Sequence, residues 1–337
     1  MTGTDDTYIE DLPRIGITMG DAAGIGSEIV LKSIASDEIT AKCRPIIVGD
    51  LRFLQALSER LGLKLSLTAD GTPGDGSIPV HDLGNLRDGF PIGKDSAVTG
   101  RASAEYITAA VDLWRSGVID AIATAPISKK AIAMGGYDFP GHTEFLADLT
   151  ETKKFAMSFF AGELRVVLLS THVPLSDAIG LVKSGPLAAL IRFTYEQLSG
   201  LLGRPVSIAV AGLNPHASEH GLFGSEEANE IIPAIEIARA DGIIVSGPYS
   251  PDTIFLRAHR GEFDAVIACY HDQATIAVKC LSFGHGVNVT LGLPLIRTSV
   301  DHGTAYDIAG KGVADASSMS AAVNLAAELV SIRTRLR

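Results

Sequence analysis

The 337-residue sequence predicts an α/β protein in which parallel sheet carries helices on both faces. Three observations lead there. Short β-branched runs alternate with helical patterns almost throughout the chain. Glycine or proline punctuates most of the junctions. The composition, 46% hydrophobic and 20% charged, is that of a globular chain long enough for two domains or one elaborate α/β domain.

Taken in order, the β-rich runs place strands at Arg14–Thr18, Pro45–Val48, Ala121–Thr124, Phe155–Phe159 and Val166–Ser170. Further runs place strands at Ser207–Ala211, Ile243–Ser246, Ala265–Cys269 and Val287–Thr290. Helical patterns cover Ile25–Ile34, Asp50–Leu61, Ala97–Ser116, Gly185–Leu202, Ser225–Ala240 and Ser317–Ile332. There is no tandem repeat and no low-complexity tract, and "GTPGDG" at Gly71–Gly76 is the most loop-like stretch. No single linker divides the chain. The last helix is amphipathic without a partner of its own, so it is expected to pack back on the first domain and make that domain discontinuous. The expected division is 1–134 plus 312–337 against 135–311.

The net charge of −11 argues against a general nucleic-acid binder, which shows a basic footprint. It leaves room for an anionic small molecule held by a local basic cluster. The polar, acidic start "MTGTDDTYIEDLP" has neither the basic nor the apolar part of a signal peptide. No apolar run approaches the roughly 18 residues of a membrane span. Cys43, Cys269 and Cys280 show no CxxC spacing and read as thiols in a reducing compartment. The expectation is a cytoplasmic protein with no membrane and no nucleic-acid partner.

"GITMGDAAGIGSEIV" (Gly16–Val30) has the outline of a phosphate-cradling loop between strand and helix. It fails the dinucleotide test, because Gly24-Ile25-Gly26 is followed by Ser27, Glu28 and Ile29 with no third glycine. Asp50 is a weak counterpart of the acidic residue that test also requires. Gly89 to Lys94-Asp95 fails the Walker pattern by one spacer and by its terminal Asp. A structural turn is the better reading of the glycines.

Histidines are more informative. His172 in "LLSTHVPL", His216 in "VAGLNPHASE" and His271 in "IACYHDQ" each stand just past a predicted strand. Ligands bind beyond the carboxyl ends of strands in open parallel sheets. Three unrelated loop histidines and one divalent-metal site both fit the residues alone. His142 in "FPGHTEF" either serves an anionic or hydroxylated ligand or belongs to the cap of a helix starting at Glu144. Lys279, Asn288 and Arg297 follow within 26 residues of His271 and make a phosphate or carboxylate clamp, or else a surface charge with an internal salt bridge. "SVDHGTAYDIAGKGVAD" (Ser299–Asp315) is a long glycine- and aspartate-rich loop of the kind that carries function.

Together, "GDAAGIGSE", "GHTEF", "STHVPL", "GLNPHASE", "GPYSPDT", "YHDQ" and "GVNVTLGLPLIRTSVDHGTA" resemble, in order, the motifs of the 4-hydroxythreonine-4-phosphate dehydrogenase family. The match runs from about Arg14 to the last helix. "HGTAYDIAGKG" is similar to the cofactor loop of the more distant isocitrate and isopropylmalate dehydrogenases. Three positions depart from the family pattern: Ala22 and Ser27 stand where prolines are usual, and Ala274 where a glycine is usual.

The resemblance implies an isopropylmalate-dehydrogenase-like fold: two α/β/α domains with an intervening cleft, and an active site shared across a homodimer. It implies oxidation of a secondary alcohol on a small phosphorylated substrate by NAD or NADP, followed by loss of CO₂. Carried over by motif, His172, His216 and His271 bind one divalent metal ion (Zn, Mg, Mn or Co) shared between subunits. His142, Thr143, Lys279, Asn288 and Arg297 bind substrate. Asp301, His302, Gly303, Thr304 and Asp307 belong to the cofactor loop. Asp272 and Lys279 are candidates for the general base, with a metal-bound hydroxide as a third. The substrate is either 4-phosphohydroxy-L-threonine, on the way to vitamin B6, or D-threonate or D-erythronate 4-phosphate. The alternatives are a dehydrogenase of a non-phosphorylated cyclic diol carboxylate in aromatic catabolism and a non-catalytic metal- or nucleotide-binding protein.

Overall fold

The structure, a computed structural model, describes residues 12–69, 76–87, 89–282 and 284–336. The acidic stretch 1–11 and the loop expected at Gly71–Gly76, apart from Gly76, lie outside the described residues. The chain forms two compact units, residues 12–153 with 293–335 and residues 154–292 with Leu336. The crossings fall at 153/154 and 292/293, against the expected 134/135 and 311/312.

The first unit begins with β1 (Arg14–Thr18), α1 (Gly26–Ile34), α2 (Asp37–Lys42), β2 (Arg44–Gly49) and α3 (Leu51–Arg60). Next come β3 (Leu67–Thr68), β4 (Ile78–Asp82), α4 (Ala97–Arg115), β5 (Ala121–Thr124), α5 (Lys129–Met134) and α6 (His142–Leu149). Asp50 is the N-cap of α3: its carboxylate accepts from Phe53 N at 3.0 Å and from Leu86 N at 3.3 Å. It is therefore a structural cap.

The second unit holds β6 (Ala156–Ala161), β7 (Leu164–Leu168), α7 (Leu175–Leu181), α8 (Ser184–Leu202) and β8 (Ile208–Ala211). After a left-handed turn within Pro215–Glu219 and a π-helical turn at Glu227–Ile231 come α9 (Ile232–Ala240) and β9 (Val245–Tyr249). The unit closes with α10 (Pro251–His259), β10 (Ala265–Ala268), α11 (His271–Ser282) and β11 (Val287–Leu291). The chain then returns to the first unit with β12 (Ile296–Ser299) and α12 (Ser317–Arg335).

In the first unit the strand order is β3-β4-β2-β1-β5-β12, parallel throughout. Ile15, Ile17, Ile47 and Ile122 are fully buried, the pattern of strands covered on both faces. In the second unit the order is β11-β6-β7-β10-β8-β9. Here β6 runs antiparallel to both β7 and β11, a departure from the all-parallel expectation. Its cause is local. Only Gly162 and Glu163 separate the paired residues Ala161 and Leu164, and Gly162 takes φ +60°. A two-residue connection makes a hairpin, whereas a parallel neighbour needs a crossover of a dozen residues or more. Phe159, Leu164, Val166, Ile254, Val266 and Val278 form the core of this unit.

The helix expected over Ser225–Ala240 is broken into the π turn and α9. Pro233 has no N–H for the carbonyl four residues back, so the ladder widens where the sequence pattern reads as continuous. None of the described helices is long and apolar enough to cross a membrane.

Candidate active site

The loops at the carboxyl ends of parallel strands carry His172, His216 and the segment 301–307, and His271 opens the helix that follows β10. In the second unit β7 and β10 are paired neighbours, so the loops that leave them emerge side by side. Leu169 N donates to Ala268 O at 2.9 Å and Ser170 Oγ to Cys269 O at 3.0 Å, keeping the two exits in step. The first exit delivers His172; the second delivers His271 at the start of α11. Their rings stand 5.4 Å apart, tilted by 44°. Both line a pocket of about 400 Å³ with Thr171, Val173, Tyr270 and Asp272.

His271 Nδ1 lies 2.7 Å from Asp272 Oδ1. A carboxylate that accepts from Nδ1–H orients the ring, and the neutral imidazole then offers its Nε2 lone pair to a ligand. Metal-binding imidazoles are commonly oriented by a carboxylate in this way. The donor chemistry of the pair therefore fits a divalent ion. Gln273 is a member that sequence reasoning did not single out. It accepts from Cys269 N at 2.7 Å and donates to Gly212 O at 2.8 Å, tying the exit of β10 to that of β8. Its place in "YHDQ" is the only signal for it.

His216 follows β8 and stands in the left-handed region with φ +52°. Its ring faces Phe223 at 6.4 Å. Among the described residues no three His, Cys, Asp or Glu side chains gather as a metal-holding group, so one chain brings together two of the three expected ligands. Lys279 lies on α11, where Asp272, Ile276 and Lys279 share an exposed stripe at helical spacing. Asn288 lies in β11 with Oδ1 buried and without a hydrogen-bond partner.

In the first unit the expected substrate residues surround the carboxyl end of β5. Arg297 belongs to β12, which pairs in parallel with β5 and opposes Arg297 to Ile122. The guanidinium is only 3% exposed, and Thr124 Oγ1 accepts from its Nε at 3.2 Å and Nη2 at 2.8 Å. Burial pushes its pKa down to about 9, against the opposing pull of the Glu144 carboxylate. His142 opens α6 with Nε2 enclosed and unpartnered. Burial, and secondarily the charge of Arg297, hold its pKa well below the ordinary imidazole value, so the ring is neutral. Thr143 beside it is buried. A neutral imidazole with an unmet nitrogen next to an enclosed cation is suited to a hydroxylated anion.

The loop after β12 meets the opening glycine turn. Ile25 N donates to Thr304 O at 3.0 Å and Tyr306 Oη to Asp21 Oδ2 at 2.7 Å. Gly24 is required by this approach, since a Cβ there would stand 2.9 Å from both Cβ and O of Thr304. Asp21 is fully buried, and its other oxygen accepts from Ala23 N at 2.9 Å. Further along, Glu28 Oε1 accepts from Ala314 N and from Lys32 Nζ, both at 2.8 Å. Lys32 Nζ also reaches Gly312 O and Ala314 O, at 2.9 and 2.7 Å. The glycine turn and α1 thus cradle the distant loop at both of its ends. Asp301 accepts from Ser318 Oγ at 3.3 Å, His302 Nδ1 lies 3.0 Å from Gly303 O, and Asp307 is exposed. Asp21, Glu28, Lys32 and Tyr306 went unmarked in the sequence, although two carboxylates in a turn of small residues were a signal of buried partners.

Comparison with known proteins settles the family. A family model for the pyridoxal phosphate biosynthetic protein PdxA matches residues 41–326. The chain belongs to the PdxA family. It is 49% identical over 328 residues to a D-threonate 4-phosphate dehydrogenase of Cupriavidus necator, covering 96% of this chain and 98% of that one. It is 45% identical over 329 residues to a 4-hydroxythreonine-4-phosphate dehydrogenase of Desulforapulum autotrophicum, covering 94% and 96%. The crystal structure of a 4-hydroxythreonine-4-phosphate dehydrogenase from Klebsiella pneumoniae is 39% identical and superposes with a TM-score of 0.86, over 94% of this chain and 99% of that one. This PdxA-family chain is an NAD(P)-dependent dehydrogenase, and its α/β fold is that of the family.

Proposed function

We propose that this dehydrogenase oxidises a 4-phosphorylated hydroxy acid with NAD or NADP and decarboxylates the 3-keto product. D-threonate or D-erythronate 4-phosphate and 4-phosphohydroxy-L-threonine are the candidate substrates. The observation that carries the reading is the buried Arg297, held on Thr124 beside the neutral, unpartnered His142. An enclosed guanidinium costs free energy that an anionic ligand offsets. Arg297, His142 and Thr143 bind and orient the substrate, joined by Lys279 and Asn288. The loop bearing Asp301, His302, Gly303, Thr304 and Asp307 serves the dinucleotide, braced by Asp21 and Glu28.

His172 and His271 hold one divalent ion, Zn, Mg, Mn or Co, with His216 completing the set. Such an ion supplies Lewis-acid polarisation of the substrate alcohol and carboxylate. Asp272 contacts His271 Nδ1 through Oδ1, and Asp272 and Lys279 are the side chains available for proton transfer.

The protein acts as a homodimer with donors drawn from both copies. Each expected ligand has exposed apolar company: Val173 (42%) and Leu175 (58%) beside His172, Ile276 (63%) on the helix of His271, and Leu222 (71%) and Phe223 (44%) near His216. These exposed apolar residues beside each expected ligand support a partner-covered surface there.

The test is NADH or NADPH production on a panel of 4-phosphorylated four-carbon acids and a non-phosphorylated cyclic diol carboxylate, with and without added divalent metal. Metal-dependent turnover of a phosphorylated acid is expected. Turnover of the diol alone would replace this reading with the aromatic-catabolic one.

A further inference from the structure

Leu213 and Asn214, in the loop after β8 and just ahead of His216 in the chain, are tied to Glu227, which opens the π turn. Glu227 is 1% exposed. Its Oε1 accepts from Leu213 N at 2.8 Å and Asn214 N at 2.7 Å, and its Oε2 accepts from Asn214 Nδ2 at 2.9 Å. A buried carboxylate is tolerated when its lone pairs are met in this way.

Directly beyond Asn214 and Pro215, five successive residues take positive φ: His216 (52°), Ala217 (51°), Ser218 (63°), Glu219 (43°) and His220 (58°). None is glycine, and L-residues resist this region. Such a run persists only where its surroundings over-determine it. Ala217 N donates to Asn214 O at 3.1 Å, so the run is anchored on the residue that Glu227 grips. Gly221 N and Phe223 N both donate to Ser218 O, at 3.0 and 3.1 Å. Gly212 admits the fold-back, because a Cβ there would stand 2.9 Å from Ala217 Cα and 3.3 Å from Glu227 Oε1. The π turn begins at Glu227 itself, and π turns recur where helix geometry serves a site.

We infer that Glu227 is a positioning residue: by gripping Leu213 and Asn214 it forces the left-handed turn that presents His216 for ligation. This rests on the reading of His216 as a ligand of a divalent ion. It also rests on the homodimer, since among the described residues one chain gathers only His172 and His271.

The test uses full-length protein stripped of metal by chelation and titrated with Co²⁺ alone. Affinity is read by calorimetry and by the cobalt d–d spectrum, and the thermal midpoint of the metal-free protein is read in parallel. Glu227→Gln keeps the shape but sets an NH₂ group against either the backbone donors or Asn214 Nδ2. It is expected to weaken Co²⁺ binding about tenfold or more and to alter the spectrum, with a smaller fractional effect on the metal-free midpoint. Should that variant fail to fold, Asn214→Ala, which removes the side-chain ties to Glu227 and Glu226 and keeps the grip of Glu227 on the backbone, is expected to weaken binding several-fold. His216→Ala is the control. Wild-type affinity and spectrum in the folded Glu227 or Asn214 variant, with binding lost in His216→Ala, would overturn the positioning role and leave the metal reading intact. Undiminished binding in His216→Ala would overturn the metal reading itself.

Discussion

Arg297 sits where a cation is costly, enclosed at the carboxyl end of β5 with Thr124 accepting from two of its nitrogens. Charge-assisted hydrogen bonds of this kind are worth about 1.5–3 kcal/mol each. Replacing the guanidinium therefore removes substrate affinity more than dinucleotide affinity. Arg297→Ala is expected to raise the KM for the phosphorylated acid by about 10²-fold while the NAD KM moves by less than about threefold. Equal rises in both, in steady-state kinetics, would remove Arg297 from the substrate site. His142 makes a stability prediction with a definite sign. Burial, and then the charge of Arg297, hold its folded pKa well below the ordinary imidazole value of about 6.5. The unfolded chain therefore binds the proton first, and stability falls as pH falls below 6.5. His142→Asn lacks this proton linkage. Its thermal midpoint is expected to decline less steeply than the wild type between pH 7 and pH 5; parallel declines would assign the acid limb to other groups.

At the scale of elements, the loop after β12 is shaped by partners at the opposite end of the chain. Gly24 lets Thr304 approach, and Tyr306 reaches Asp21 across 285 positions. Gly24→Ala sets a methyl group against Thr304 and is expected to cost about 1–3 kcal/mol in denaturant unfolding. It should also raise the NAD KM more than the substrate KM. An unchanged NAD KM in a destabilised variant would make the contact purely structural. The strand β12 was not legible in sequence, although its neighbours were. "LPLIRTSV" holds a proline and an arginine, and an arginine reads as surface. In the fold the strand is buried at all four residues. The same blindness to context hid β6's antiparallel direction, which a two-residue turn decided, and the break in the helix before Pro233. The strands at Arg14–Thr18 and Ala121–Thr124 were legible residue for residue, because their apolar runs are bounded by turn signals on both sides.

For the molecule as a whole, the exposed apolar residues near the three histidines and the incomplete ligand set point the same way. Leu175→Glu combined with Ile276→Glu places charge on the proposed interface. In sedimentation this variant is expected to run as a monomer and to lose metal-dependent turnover, while the wild type runs as a dimer. A monomeric variant with full turnover would confine the active site to one chain. Chelation of the wild type is expected to abolish turnover, with Co²⁺ or Mg²⁺ restoring it; turnover surviving chelation would remove the ion from the reaction.

The sequence by itself determined the family, the α/β class and the residue types at the strand ends, because motifs and periodicities are local and survive without a fold. Only the tertiary structure decided which of those residues meet. His172 meets His271 because β7 and β10 are adjacent in register, and Arg297 meets Thr124 across 173 positions because β12 pairs with β5. It also decided what the opening glycine turn, which fails the standard phosphate patterns in sequence, packs against. Gly24 serves close packing against Thr304, and Asp21 and Glu28 are buried partners of a segment nearly 300 residues away. Such contacts depend on strand order and register, which are set by packing over the whole sheet and leave no spacing signature along the chain.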